Sequence, residues 1–488
     1  MQYRKDPNQP LLAKEVSFLD SSLQEKLNVA KEITLAAIPN IFSSIGSQLK
    51  DVISLYFIGQ LGSPLLFAAA GFGLTWANAF GIALIFGFAT GFGTLASQAF
   101  GARNYYKMGL LYQKTMIVIS VLLLCLGSVL WFTKAELRLL GFELDFATEV
   151  GNFIQCLTLD FFFYMLFEIN RFYLTAQNIF DVPACIIFIS TALHILWCHV
   201  FVNILGLNLL GMAISRTLTD GISVILILLY IRMKNPCPES WFPWTKECLH
   251  DLVPYAKEIA SHGGAIYIEW IAFETTTMII GFLGDVNVLA AHSATLNYLF
   301  VNSTISLGLT LSMNVFVGNA AGEGNIVKAK KYTYVGLIMD IIVVTFLDIF
   351  MFTFRRGIAA FYTTDPNVRA LITDILLVYS FGMHADLCCN SFANLLRTLG
   401  QDKFVLKAFL GSYYGVGLTL SIIFSLIFGF GYHGVWGSVI AGCYVMLIID
   451  LVRFFGLDWE FEVMKIRNDM RKKSLTEDSE REIELLEA

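Results

Sequence analysis

The chain alternates long apolar runs with short polar ones. A helix crossing ~30 Å of hydrocarbon needs roughly 20 apolar residues. Runs of that length occur near 33–59, 65–100, 109–133, 150–175, 182–206 and 208–232. A polar stretch rich in Pro, Trp and Lys follows, from Lys234 to Lys257. The runs then resume near 258–284, 287–320, 332–353, 370–396, 405–430 and 433–456. Each predicts a transmembrane helix, twelve in all. No charge falls between Asp51 and Arg103, or between Asp285 and Glu323. The turn signal GQLGSP breaks the first of these regions, so it holds the end of one helix and all of the next.

The two halves echo one another. GARN at Gly101–Asn104 follows the second run and GEGN at Gly322–Asn325 follows the eighth, an offset of 221. Asn170 and Gln177 of NRFYLTAQ echo Asn394 and Gln401 of NLLRTLGQ at an offset of 224. Six plus six helices related by repeat is a transporter plan, with the substrate site expected between the halves near mid-membrane. The expected layout is an N-terminal segment 1–32, a first lobe 33–235, a connecting loop 236–257, a second lobe 258–457 and a charged tail 458–488. Within that tail, 468–488 is expected to be solvated and partly disordered.

Charge sets the orientation. Lys and Arg gather in alternate loops: Arg103 and Lys107; Arg232, Lys234 and Lys246; Lys328, Lys330 and Lys331; Arg397 and Lys403. The connections between them carry few, Lys134, Arg138, Arg355 and Arg356 being the exceptions. Positive-inside logic places both termini and the connecting loop in the cytosol. The N-terminus lacks the basic-then-apolar layout of a cleavable signal, so the first run is expected to insert and stay.

Composition narrows the class further. Of 488 residues, 56% are hydrophobic and 15% charged, with Phe at 42 and Gly at 38. Ordinary soluble domains carry ~25% charged residues. The net charge of −6 has no basic domain behind it, which excludes a nucleic-acid partner. Seven of the nine cysteines lie inside apolar runs, and Cys237 and Cys248 fall in the loop assigned to the cytosol, so no disulfide framework is expected.

No HExxH, P-loop, GxSxG or metal-spaced Cys/His cluster occurs, and neither a metal nor another cofactor is expected. The seven histidines are scattered singly and read as hydrogen-bonded or interfacial, with His384 notable for standing two residues before Asp386. The sequon at Asn302 lies inside a span, which argues against its use. Charges within spans are the informative positions, because each costs roughly 2.5–3.5 kcal/mol or more at the bilayer centre. The seventh span, IYIEWIAFETTTMIIG, holds Glu269 and Glu274, and the tenth holds Asp386. Five residues of spacing turns Glu274 about 140° from Glu269, so the two cannot share one face. Glu269 and Asp386 are read as coupling groups, and Glu274 as either a coupling or a structural one. Asp51 beside Lys50 suggests a local pair or an outer edge, and Arg171 at a span end suggests snorkelling. Trp270, Phe273, Tyr298 and Phe300 offer an aromatic wall for a flat or cationic solute. Asn297, His384 and Asn394 are the remaining candidates for lining a cavity.

These residues resemble the multidrug and toxic compound extrusion (MATE) family, in its eukaryotic branch. YFIGQLG and GTLASQAFGARNY match its first two spans, and NRFYLTAQN with GLNLLGMAISRTLTD its fourth to sixth. IEWIAFE is similar to its seventh-span motif and MNVFVGNAAGEGN to its eighth. SFANLLRTLGQDK, YYGVGLTL and GVWGS resemble its tenth and eleventh spans. The match runs in order over about 35–455. By position Glu269, Glu274 and Asp386 match family carboxylates implicated in proton- or sodium-coupled drug export. Departures exist: Asn297 stands where animal members have an acid, Ser54 where many bacterial members have Asp, and Met313-Asn314 replaces an Arg-containing stretch.

The resemblance implies an all-α fold of two six-helix lobes forming a V around a central cavity. It implies a multi-pass monomer, in the plasma membrane or a vacuolar or endomembrane. There it would export a small organic solute in exchange for protons, with sodium as the other candidate ion. Rival classes are a lipid-linked-oligosaccharide flippase of related fold, which would favour a cationic cavity, and a membrane enzyme, which would need a nucleophile or metal cluster.

Overall fold

The computed structural model describes residues 22–363 and 365–471. Twelve helices form the bundle: α1 Leu23–Gly59, α2 Leu65–Gly101, α3 Tyr105–Leu130, α4 Leu144–Ala176, α5 Asp181–Ile204 and α6 Asn208–Lys234. The second set is α7 Leu252–Phe282, α8 Val286–Glu323, α9 Ile326–Tyr362, α10 Pro366–Ser380 continuing as Met383–Thr398, α11 Asp402–Ile427 and α12 Gly431–Phe455. Among the described residues ten are long and apolar enough to cross a membrane on composition alone, eleven if the two arms of α10, bent by 54°, count as one span. The twelfth is α1, whose apolar character is diluted by Asn40, Ser43, Lys50 and Asp51. Its 37 residues span about 55 Å. The polar side chains are held inside the bundle, as the lack of solvent in lipid demands.

Most ends fall within a few residues of the expected runs, but several helices overshoot. α1 begins ten residues before 33, because Ser22 caps it by accepting from the Glu25 amide. The connection between lobes is folded onto the first lobe: the Tyr173 hydroxyl meets Ser240 Oγ at 2.6 Å, and Gln113 donates to the Pro243 carbonyl at 3.1 Å. Cys237 is buried there, and all nine cysteines are free. A further helix beyond the bundle, α13, covers 459–471. Its buried residues Trp459, Val463, Ile466 and Met470 recur every three to four positions, the stripe of a surface helix. The expected solvated tail therefore starts with ordered helix as far as Arg471, and its remainder lies outside the described residues, as do residues 1–21 of the N-terminal segment.

The repeat is visible in the backbone. Asn104 caps α3 by accepting from the Lys107 amide, and Asn325 caps α9 by accepting from the Lys328 amide. Left-handed residues recur in pairs: Gly62 and Gly284, Arg103 and Gly324, Asn178 and Gly400, Gly206 and Gly429, Asn208 and Gly431. Every pair is offset by 221–223. Turns of the i→i+5 type also recur near the ends of α5 and α11, at His199–Ile204 and Ile423–Ile427.

The same symmetry builds the contact between lobes. A Cβ on Gly101 of α2 would lie 1.9 Å from the Asn319 carbonyl oxygen of α8, and one on Gly322 of α8 would lie 1.9 Å from the Gln98 carbonyl oxygen of α2. Further along, Gly87 meets the backbone of Gly263 on α7, and its counterpart Gly308 meets the backbone of Ile41 on α1. Asn40 donates to Ser312 at 2.7 Å and Gln98 to the Thr398 carbonyl at 2.9 Å across the same seam. Beyond Gly87, α2 turns to its own lobe, with Gly81 against Phe161 and Gly73 against Phe153. The lobes thus meet along the end of the bundle where the described residues begin and end, and part company beyond it, which gives the V.

Backbone-to-backbone contacts cannot relax by rotating a side chain. Gly101→Ala and Gly322→Ala should each cost roughly 1–3 kcal/mol by overpacking. Gly357→Ala in α9, where nothing lies within 4 Å, should not. Thermal unfolding of the three purified variants measures this, and equal melting temperatures would contradict the seam described.

Candidate functional site

Two sets of buried charge lie in the bundle, one in each lobe. In the first lobe Lys50 pairs with Asp220, and Arg216 pairs with both Asp51 and, at 2.9 Å, Asp160. Lys50 and Asp51 do not pair with each other. As neighbours on a helix they point about 100° apart and each finds its partner on another helix. Arg171 does not snorkel either: it is buried, 2.6 Å from Glu168, with its guanidinium 4.4 Å from the Phe172 ring centroid. His194 bridges Ser54 and Thr219, at 2.9 Å to each. In this lobe cations sit directly on the carboxylates.

The second lobe is arranged differently. Asp386 lies in the first turn after the bend of α10. The bend swings Tyr379, at the end of the preceding arm, back so that its hydroxyl donates to Asp386 Oδ2. The Tyr413 hydroxyl of α11, at 3.4 Å, and the Cys443 thiol of α12, at 3.6 Å, reach Oδ1. Glu269 of α7 is buried with Asn390 as its hydrogen-bond partner and lies within electrostatic reach of Asp386. Asp340 of α9 accepts from Ser306 at 2.7 Å and Ser391 at 2.6 Å. The hydrogen-bond partners of all three are neutral, while Arg397 lies within electrostatic reach of Glu269. A carboxyl bonded only by hydroxyl and thiol groups, as Asp386 and Asp340 are, can lose its charge by taking a proton without breaking an ion pair.

The remaining candidates scatter. Glu274 is half-buried, on a different face of α7 from Glu269. Phe273 packs on Tyr413, its ring centroid 6.1 Å away, beside Asp386. Trp270 instead stacks across the seam on Phe86 of α2, 6.1 Å away. Asn394 is buried and donates to the Asn390 carbonyl. Tyr298 is half-buried beside Asn302 of its own helix, while Asn297 and Phe300 are exposed. His384 turns away from Asp386 to Asp348, at 2.8 Å. The structure therefore gathers Glu269, Asp386, Phe273 and Asn394 on neighbouring turns and leaves the other candidates apart. Among the described residues no group of three or more His, Cys, Asp or Glu side chains is placed to hold a metal ion.

A single sequence model, that of the MatE family, matches residues 39–200 and again 264–423. The chain belongs to the MatE family. The double match is the duplication already visible in the backbone. Protein DETOXIFICATION 17 of Arabidopsis thaliana is 30% identical over 467 residues, covering 94% of this chain and 96% of that one. Multidrug and toxin extrusion protein 1 of Xenopus tropicalis is 28% identical over 435 residues, covering 88% and 75%. Among solved structures, the eukaryotic MATE transporter AtDTX14 superposes with a TM-score of 0.87 at 20% identity, over 91% of this chain and 99% of that one. The Vibrio cholerae MATE transporter VcmN in its bent form gives 0.77 at 14% identity, over 92% and 99%. The eukaryotic resemblance read from the motifs holds.

Of the first-lobe charges, Asp160, Glu168, Arg216 and Asp220 escaped the sequence reading, although they sit inside apolar runs as plainly as Glu269 does. The segment RTLTD places Arg216 and Asp220 one helical turn apart, and that was the available signal. Removing the cation that serves two carboxylates should be severe. Arg216→Met is expected to cost about 3–5 kcal/mol, by leaving Asp51 and Asp160 uncompensated. Thermal stability of the purified variant checks this, and a shift no larger than that of an exposed-site control would refute the pairing.

Proposed function

We propose that this MatE-family protein is a secondary antiporter that exports small organic solutes in exchange for protons, with Glu269 and Asp386 as the proton-carrying carboxyls. The observation that supports the reading is the contrast between lobes: Asp386 and Glu269 are hydrogen-bonded by neutral donors, whereas first-lobe carboxylates are ion-paired directly with cations. Protonation removes the cost of keeping these groups charged in an apolar interior. The packing of α7 against α10 and α11 then has two electrostatic states. A gradient of one pH unit supplies about 1.4 kcal/mol per proton, enough to bias conformations separated by a few kcal/mol.

The carboxylates favour cationic or neutral solutes over a lipid-linked phosphate, which would be repelled. The Xenopus tropicalis relative is a multidrug and toxin extrusion protein, which supports small solutes as the cargo. The terminal end of the bundle is assigned to the cytosol, on the Lys and Arg of its loops. Solute would then leave on the opposite face, where the lobes diverge.

Two outcomes follow. Asp386→Asn keeps the shape of a protonated carboxyl but cannot release a proton, so it should abolish pH-gradient-driven flux in proteoliposomes while preserving yield and melting temperature. Glu269→Gln should match it, with Glu274→Gln milder. Wild-type flux from well-folded Asp386→Asn would end the proposal. For orientation, cysteines introduced at Met233, which is 78% exposed, and at Gly62 should label from opposite sides. Labelling from the same side contradicts the topology. Cys237 is unsuited to this test because it is buried.

A further inference from the structure

Arg397 closes the last turn of α10, beside Thr398, whose carbonyl accepts from Gln98 of the other lobe. It is 1% exposed. None of its three guanidinium nitrogens meets an acceptor among the described residues; the Phe409 ring faces it, 5.7 Å to the centroid. On α12, Asp450 is 0% exposed, and neither of its carboxylate oxygens meets a donor among the described residues. A buried cation and a buried carboxyl, both without hydrogen bonds, lie within electrostatic reach of each other. Ionised groups this deep are stable only when paired, so this is an arrangement with a partner to gain.

The groups around Arg397 limit which partner that is. Glu269 reaches it from α7, Asp402 from α11, Asp450 from α12, and Cys389 from two turns back on α10. Asp402 is already engaged with His262 of α7 at 2.8 Å. Asp386, on the same helix as Arg397, is held by Tyr379, Tyr413 and Cys443, and Asp340 of α9 by two serines. Arg453 of α12 binds Gln401, as does Glu462 of α13, and α2 brings the neutral Gln98. Two carboxyls remain open to Arg397: Glu269 and Asp450.

We propose that Arg397 is a positioning residue for proton coupling, a buried counter-ion that turns from Glu269 to Asp450 when Glu269 takes up its proton. The inference rests on the proton-antiport reading. The proton adds to one Glu269 oxygen and no other bond changes. What moves is the guanidinium's attraction, which passes from α7 to α12. Because Thr398 is the next residue and is bonded across the seam, the charge on Glu269 is felt where the lobes touch.

The test needs no solute. The carbonyl-stretch infrared band of the protonated carboxyl that Glu269→Gln removes is titrated in the full-length protein in lipid. A cation beside Glu269 favours its charged form, so Arg397→Gln should raise the midpoint of that band by about one pH unit, a tenfold change in proton concentration. Arg397→Lys should restore the wild-type midpoint. Asp450→Asn should lower it, because the rival anion is gone and the guanidinium stays with Glu269. A purely structural role for Arg397 would change stability without these opposite shifts. Coincident midpoints for wild type and Arg397→Gln, or an upward shift in Asp450→Asn, would overturn the proposal. If Arg397→Gln does not fold, the direction of the Asp450→Asn shift decides alone. A wild-type protein without a titrating Glu269 band would overturn the antiport reading as well, and so separates the two failures.

Discussion

A charge carried into the interior of a lipid-embedded bundle has to be neutralised there, by a counter-ion or by a proton, and this requirement organises both lobes. The first lobe meets it with counter-ions: two cations, Lys50 and Arg216, serve three carboxylates drawn from α1, α4 and α6. The second lobe surrounds Asp386, Asp340 and Glu269 with hydroxyls, a thiol and amides, and keeps its one deeply buried cation, Arg397, without a hydrogen-bonded partner among the described residues. The first arrangement pairs its charges within the fold. The second, on the reading proposed above, answers to proton supply. One fold, duplicated, thus carries two different electrostatic arrangements.

Duplication also explains how two lobes can touch so closely and still separate. Contacts such as Gly101 with Asn319 and Gly322 with Gln98 are one contact written twice about an approximate two-fold axis. Small residues allow backbones to approach without interlocking side chains, as in other membrane helix pairs. An interface of that type has few side chains to disengage. The polar bonds that cross it, from Asn40 to Ser312 and from Gln98 to Thr398, have ready replacements in solvent once the seam opens.

Helix number, most helix ends, the lobe repeat and the family were legible in the sequence, because apolar run length and short motifs report them directly. Glu269 and Asp386 could be picked out, since each interrupts an apolar span. What sequence could not supply was pairing across distance. Whether Asp51 answers Lys50 beside it or Arg216 on α6, 165 positions away, depends on which faces of α1 and α6 meet. The same holds for Trp270, which packs on Phe86 of the other lobe and not on the aromatic residues near it in sequence. The bend of α10, which sets Tyr379 on Asp386, has no Pro to announce it, only Gly382 between the two arms.

The amphipathic α13 has a mechanical meaning. The first lobe holds its end through the Asn104 amide on the Met470 carbonyl and Lys107 on the Asp469 carbonyl, while the second lobe holds its start through Gln401 on Glu462. With the connecting loop already docked on α3 and α4, the chain crosses from lobe to lobe twice at the closed end of the V. Two straps on one face restrict how the lobes can rotate. Separation at that end must first unseat a strap, whereas widening at the opposite end leaves both in place, so the two directions of motion are mechanically unequal even though the lobes are copies of each other.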